Sequence, residues 1–218
     1  MHWTGISCQP KTFLPSYPFG YEVKNYYDLP VFVRDYKGEK GVEAVGSRGY
    51  YMTGQLAKLQ RVLFDWVQEK IESKGFEYVI PPIMVNEKVM YGTGFFPSSK
   101  NDYYTVNLDE DNLYLVGSSE PSLMFLYNQE TLNQIKPKLL MARTDCFRRE
   151  AGSHGKDTQG GIRVHQFPKI EMVAICNPKK SSQVFELLTN IFSEIVSQLG
   201  LHYHYLEVCT GDQINEKS

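Results

Sequence analysis

From Gln55 onward, apolar side chains recur at three- and four-residue steps: Leu56, Leu59, Val62, Leu63, Trp66, Val67 and Ile71. That spacing predicts a helix with one apolar face, stopped at Gly75, where the missing Cβ tolerates left-handed backbone. A second run, Val184, Leu188, Ile191, Ile195 and Leu199 with Phe185, Phe192 and Val196 alongside, predicts another helix. Ser181 or Ser182 would cap its start and Gly200 its end. Shorter apolar runs bounded by turn residues predict strands: FEYVI (76–80), broken by Pro81-Pro82; LYLVG (113–117); and HYHYLEVC (202–209). The longest such pair is LLMARTDCFRRE (139–150) and IRVHQFPKIEMVAIC (162–176). Between them AGSHGKDTQGG, eleven residues with four glycines, reads as a long hairpin loop. Residues 120–134 read as the opening of a helix. Residues 86–112 are turn-rich, and residues 1–50, rich in Pro, Gly and Tyr, read as loops with short extended pieces. Helices separating antiparallel strand pairs predict an α+β fold.

Composition narrows the class. The chain has 218 residues, 42% hydrophobic and 22% charged, which excludes wholesale disorder and fits one globular domain over residues 1–218. With 23 Lys+Arg against 25 Asp+Glu, the net charge of −2 excludes a generally basic coat, though not a local basic patch. One such cluster is Arg143, Arg148 and Arg149 with Lys136 and Lys138. Cys8, Cys146, Cys176 and Cys209 lie far apart with no CxxC pair, which fits free thiols in a reducing compartment. The start, MHWTGISCQPKTF, has no basic segment followed by an apolar stretch, and no run approaches the roughly 18 apolar residues of a membrane span. A soluble, cytoplasmic protein with no membrane partner is the expectation.

The chemistry concentrates in the long hairpin. Alternate strand residues point the same way, so Arg163, His165, Phe167, Lys169 and Glu171 should line one face, with Ile162, Val164, Ile170 and Met172 on the core face. On the first strand Arg148 and Glu150 should share a face beside them. Arginine forks suit phosphate oxygens, an aromatic suits a nucleobase, and carboxylates suit amines. The same set would equally serve a solvated sheet with cross-strand ion pairs. Two other nucleotide cradles are absent: AGSHGKDT lacks the first glycine of a P-loop and follows Lys156 with Asp157, and GTG at 92–94 runs into Phe95, Phe96 and Pro97. His202 and His204 share a strand face without a third ligand nearby, so no protein metal site is expected.

FRREAGSHGKDTQGGIRVHQFPKIEMV (147–173) resembles motif 2 of a class II aminoacyl-tRNA synthetase, specifically of the seryl-tRNA synthetase family. Other stretches agree in order. HW (2–3) resembles the start of that family's catalytic domain, and GSRGYYMTGQLAKLQ (46–60) the segment entering its first helix. GFEYVIPP (75–82) resembles motif 1, which forms the dimer interface. YGTGFFP (91–97) and LVGSSEPSL (115–123) resemble the segment leading to and holding the TxE loop, and CTGD (209–212) is a further signature.

The resemblance implies an antiparallel sheet flanked by helices, ATP with Mg2+, L-serine and tRNA(Ser) as ligands, and a homodimer. It implies roles position by position. Arg148 would contact the α-phosphate and also serine, Glu150 the adenine side, Arg163 the phosphates, and Phe167 would stack on adenine. Arg148 and Arg163 would thus be the catalytic pair. Ser118 and Glu120, in the TxE-like loop 118–120, and Glu171 would hold serine. Ser118 stands where the family has Thr, keeping the hydroxyl but losing the stiffness of a β-branched side chain. No heptads mark a coiled-coil arm, and the chain stops shortly after CTGD, before motif 3, so a truncated core is expected. Two other uses stay open: an amino acid:carrier-protein ligase, and a non-catalytic binding module.

Overall fold

The computed structural model describes residues 24–97, 100–107, 109–132, 136–151 and 160–206, together with the strand β1 (Lys11–Thr12). HW at 2–3, the loop residues 152–159 and CTGD at 209–212 lie outside these. The chain divides into two units, Lys24–Leu188 and a second formed of its terminal stretches up to Val23 and from Thr189 on.

The first unit opens with α1 (Pro30–Asp35), β2 (Tyr36–Lys37), α2 (Gly38–Val45) and β3 (Tyr51–Met52), with β2 and β3 paired antiparallel. Two helices therefore stand where the sequence predicted only loops. Neither exceeds eight residues, too short for an apolar period to declare itself. The predicted long helix is α3 (Gly54–Glu72), and Gly75 beyond it takes φ +90°. Its start is built by a residue the sequence did not flag. Asp35 accepts the N–H groups of Gln55 and Leu56 at 2.9 and 3.3 Å, satisfying two of the orphan donors of the first turn. Arg34 grips the same carboxylate at 2.6 and 2.7 Å. With the Arg34 hydrogen bond as the largest cause, Asp35 is held down to about 2, although burial pushes the other way.

The remaining elements are β4 (Glu77–Tyr78), β5 (Met84–Asn86), α4 (Glu87–Gly92), β6 (Thr105–Val106), β7 (Leu113–Leu115), α5 (Glu120–Phe125), β8 (Lys138–Phe147), β9 (Gln166–Ile175) and α6 (Ser181–Gln198). Two three-stranded sheets organise them. In one, β7 lies between β5 and β6, all antiparallel. Its core is Val85, Val89, Met90, Phe96, Tyr103, Tyr114 and Val116. In the other, β8 lies between β4 and β9. The β8–β9 ladder is antiparallel over its whole length, but β4 joins β8 in parallel, so this sheet is mixed rather than purely antiparallel. As the central strand, β8 buries Leu140, Met141 and Ala142 completely, a continuous apolar run covered on both faces.

Several predicted elements are shorter than expected. FEYVI keeps only two strand residues, since Pro81 and Pro82 remove ladder donors just beyond it. The helix expected over 120–134 ends at Phe125. The two hairpin strands stop at Phe147 and start at Gln166, so the connection is longer than predicted at both ends. The basic cluster is divided: Arg143 pairs with Asp65 of α3 at 2.6 Å and lies over Phe64, whereas Arg149 donates to the Asn101 carbonyl at 3.3 Å.

In the second unit, β1 pairs antiparallel with β10 (His204–Tyr205). Gly200 takes φ +66° after α6, and Tyr205 donates to the Thr189 carbonyl at 3.0 Å. Both predicted cap serines lie within α6, which follows directly on a 3-10 turn (Pro178–Lys180) capped by Asn177, whose side chain accepts from Lys179 N–H at 3.0 Å. Among the described residues no helix is long and apolar enough to cross a membrane, and Cys146 and Cys176 are free thiols.

Candidate active site

Residues directly opposite in an antiparallel pair share a face. Phe167 lies opposite Cys146, Lys169 opposite Thr144 and Glu171 opposite Ala142, so the predicted face holds for these three. It does not extend to Arg163 and His165, which precede the strand, nor to Arg148 and Glu150, which follow β8. Glu150 takes φ +53°, out of extended backbone altogether. Turns rather than strand alternation place these four residues.

The segment from Val116 to Ser119 runs beside the end of β8, tied there by the Phe147 N–H donating to the Val116 carbonyl at 2.8 Å. Gly117 permits a close approach. A Cβ there would stand 3.2 Å from the Tyr103 ring and 3.4 Å from the Arg148 side chain. Arg148 Nε donates to the Gly117 carbonyl at 3.3 Å, and its guanidinium lies 5.5 Å from the centre of the Phe167 ring. Backbone bonds fix the base of that arginine: Arg148 N–H donates to the His165 carbonyl at 3.0 Å, and His165 Nδ1 meets the Arg148 carbonyl at 2.9 Å. His165 is thus a structural hydrogen-bonder of the loop.

Beyond the arginine lies a polar cluster. The Ser118 hydroxyl donates to Glu171 Oε2 at 2.5 Å and accepts from Lys169 Nζ at 3.0 Å, while Lys169 pairs with the same Glu171 oxygen. Glu120, first residue of α5, directs its backbone N–H at Ser118 Oγ at 3.4 Å. Glu120 and Glu171 both line a groove of about 540 Å³ with Met124 and residues 172–176. Arg163 lies 3.5 Å from Glu150 Oε2. On the same face, opposite Phe167, burial pushes the Cys146 thiol up. A more apolar cavity of about 560 Å³, lined by Tyr51, Met52, Tyr104, Leu115 and Phe147 among others, includes none of the seven residues named from sequence.

The structure therefore joins Ser118 to Glu171, Glu120 to the same groove, Arg148 to Phe167 and Arg163 to Glu150. Sequence reasoning assigned no role to Lys169, although its two-residue spacing from Phe167 and Glu171 already put it on the face. It missed Gly117 and Asp102 altogether. Asp102 accepts the Ala151 N–H on its carboxylate and the Arg149 N–H on its carbonyl, and so holds the Arg148–Glu150 turn from outside.

Residues 104–217, just over half of the chain, match the family described as tRNA synthetase class II core domain (G, H, P, S and T). The chain belongs to that family. Within it, this class II core is 41% identical over 195 residues to a serine--tRNA ligase of Campylobacter lari, covering 89% of this chain and 47% of that one. A serine--tRNA ligase of Helicobacter pylori (strain P12) is 37% identical over 203 residues, with 93% and 48% covered. The chain thus spans about half the length of the curated relatives it matches. Its fold resembles that of seryl-tRNA synthetase from Pyrococcus horikoshii complexed with ATP, with a TM-score of 0.78, 32% identity, and 83% of this chain and 40% of that one covered. It also resembles the cytoplasmic serine-tRNA ligase of Naegleria fowleri in complex with AMP, at a TM-score of 0.80 and 26% identity, with 94% and 48% covered. The expected α+β class II synthetase fold and the seryl-type resemblance both hold.

Proposed function

We propose that this class II core is part of a serine--tRNA ligase, activating serine with ATP and passing it to tRNA(Ser). The observation that carries the reading is the contact of Ser118 with Glu171 in a carboxylate-lined groove, next to an arginine stacked on Phe167. An ammonium and a hydroxyl suit the first part, a phosphate and a flat base the second. The ATP and AMP complexes of the similar structures support the nucleotide half.

In the activation step a serine carboxylate oxygen bonds to the α-phosphorus, the bond to the bridging oxygen breaks, and pyrophosphate leaves. The terminal tRNA hydroxyl then attacks the seryl carbonyl and AMP leaves. No covalent enzyme intermediate is needed, so the chain's residues act by positioning and by opposing charge. Arg148 would brace the α-phosphate and the serine carboxylate, Arg163 the outer phosphates, Glu150 the adenine edge and Phe167 its face. Ser118, Glu120 and Glu171 would hold the serine ammonium and hydroxyl. A carboxylate reading the hydroxyl rejects alanine by roughly 10⁴-fold, because it would be left unpaired.

Magnesium would arrive with the triphosphate as its counter-ion. No group of three or more His, Cys, Asp or Glu among the described residues makes a cage, and Mg2+ commonly relies on substrate phosphates for its ligands. Residues 1–218 would form part of one catalytic domain, dimeric through motif 1 and located in the cytoplasm.

The test is serine-dependent ATP–pyrophosphate exchange on the purified chain, with alanine and threonine in parallel and Arg148→Ala as control. Exchange with serine alone, lost in the variant, supports the reading. Exchange with all three amino acids, or none from a folded chain, contradicts it.

A further inference from the structure

The Ser118 hydroxyl is saturated. It has one proton and two lone pairs, and all three are used: the proton on Glu171 Oε2, the lone pairs on Lys169 Nζ and the Glu120 N–H. The Lys169 ammonium reaches the same Glu171 oxygen. Two contacts therefore converge on Oε2, while Oε1 carries no hydrogen bond among the described residues. The Glu171 side chain is 20% exposed and that of Lys169 32%, whereas Ser118 is buried, and Glu171 is the member of the cluster that lines the groove.

Geometry alone would not keep Glu171 in this pose. Glu120 lines the same groove, so a second carboxylate shares it. The Lys169 ammonium pins one oxygen of Glu171. Its position on β9, opposite Thr144 in the ladder and two residues from Glu171, puts the lysine on the same face as that carboxylate.

We propose that Lys169 is a positioning residue for amino-acid recognition: it locks Ser118 and Glu171 Oε2 into one hydrogen-bonded set, so that Glu171 Oε1 faces the groove as a preformed acceptor for the substrate ammonium or hydroxyl. This rests on the serine-activating reading above. It predicts an effect on serine and none on the nucleotide, because the polar partners of Lys169 are Ser118 and Glu171 rather than Arg148, Glu150 or Arg163.

The experiment is pyrophosphate exchange with Lys169→Met and Lys169→Gln, each measured for KM toward serine and toward ATP, with Lys169→Arg as the conservative variant. KM for serine should rise about 10- to 100-fold, as for a lost charged hydrogen bond, with KM for ATP within about 3-fold of wild type. Lys169→Arg should recover most of the loss. In a Glu171→Gln background, Lys169→Met should cost less than about 2-fold more, since its effect runs through Glu171. Equal rises in both KM values, an unchanged KM for serine, or full additivity with Glu171→Gln would overturn the proposal. A wild-type chain without serine-dependent exchange would instead sink the functional reading itself.

Discussion

Asp102 and Ala151 lie 49 residues apart in sequence, yet the Asp102 carboxylate accepts the Ala151 backbone N–H at 3.0 Å. With the Arg149 N–H on the Asp102 carbonyl at 2.8 Å, this pins the turn that carries Arg148 and Glu150 to the 3-10 turn Lys100–Asp102. Glu150 sits there at positive φ, an uncommon state for a residue with a Cβ, and needs such support.

Removing the carboxylate should therefore loosen the nucleotide side of the site. Asp102→Ala should raise KM for ATP by about 5- to 10-fold, near the worth of one ordinary hydrogen bond, and leave KM for serine nearly unchanged. Asp102→Asn keeps an acceptor and should stay close to wild type. Exchange kinetics with ATP varied at saturating serine, and serine varied at saturating ATP, measure the two constants.

Gly117 tests the same half from the other side. In Gly117→Ala the new methyl would press on the Tyr103 ring at 3.2 Å and meet the Arg148 side chain at 3.4 Å. Displacing its guanidinium from Phe167 should lower kcat/KM for ATP by about 10-fold, with far-ultraviolet circular dichroism unchanged.

Asp35 makes a prediction about stability and pH. Its folded-state value is depressed, so its contribution is complete above the ordinary carboxylate range and is lost as pH falls toward about 2. Thermal melts between pH 2 and pH 7 should show Asp35→Asn below wild type by a few degrees at neutral pH, the gap closing below about pH 4. Gly54→Ala should cost more at every pH. It forces a Cβ to 2.9 Å from Asp35 Oδ1, at a backbone φ of +54°.

The proposed dimer can be probed on α3 and just after β4. Of the apolar positions that predicted the helix, Leu59 and Val62 remain 61% and 46% exposed, and Ile80 reaches 83%. An apolar face left in water is what an isologous partner would cover. Ile80→Glu should weaken association by at least about 10-fold, read by sedimentation equilibrium. A chain that sediments as a monomer at all concentrations would contradict the motif 1 interface.

Where one local rule governs, the sequence could be read directly. The helix over Gly54–Glu72 follows from its period, and Phe167, Lys169 and Glu171 from strand alternation. Glu150 and Arg163 could not be placed that way. They lie in turns set by bonds to distant residues, Asp102 for the one and Arg48, which donates to the Arg163 carbonyl at 3.1 Å, for the other. The Asp35 cap was hidden for a similar reason: it acts on Gln55 and Leu56, some twenty residues on. Family resemblance supplied the roles of Ser118 and Glu120, which no periodicity reveals.

The central claim is that one site takes serine and the nucleotide together. Calorimetric titration with a non-hydrolysable seryl-adenylate analogue, against serine and AMP separately, tests it without requiring turnover. Joined halves filling adjacent subsites should bind at least about 10³-fold tighter than either alone, and Arg148→Ala and Glu171→Gln should each weaken that binding. An analogue that binds no tighter than AMP, or is indifferent to Glu171→Gln, would show that the groove beside Ser118 is not the serine subsite.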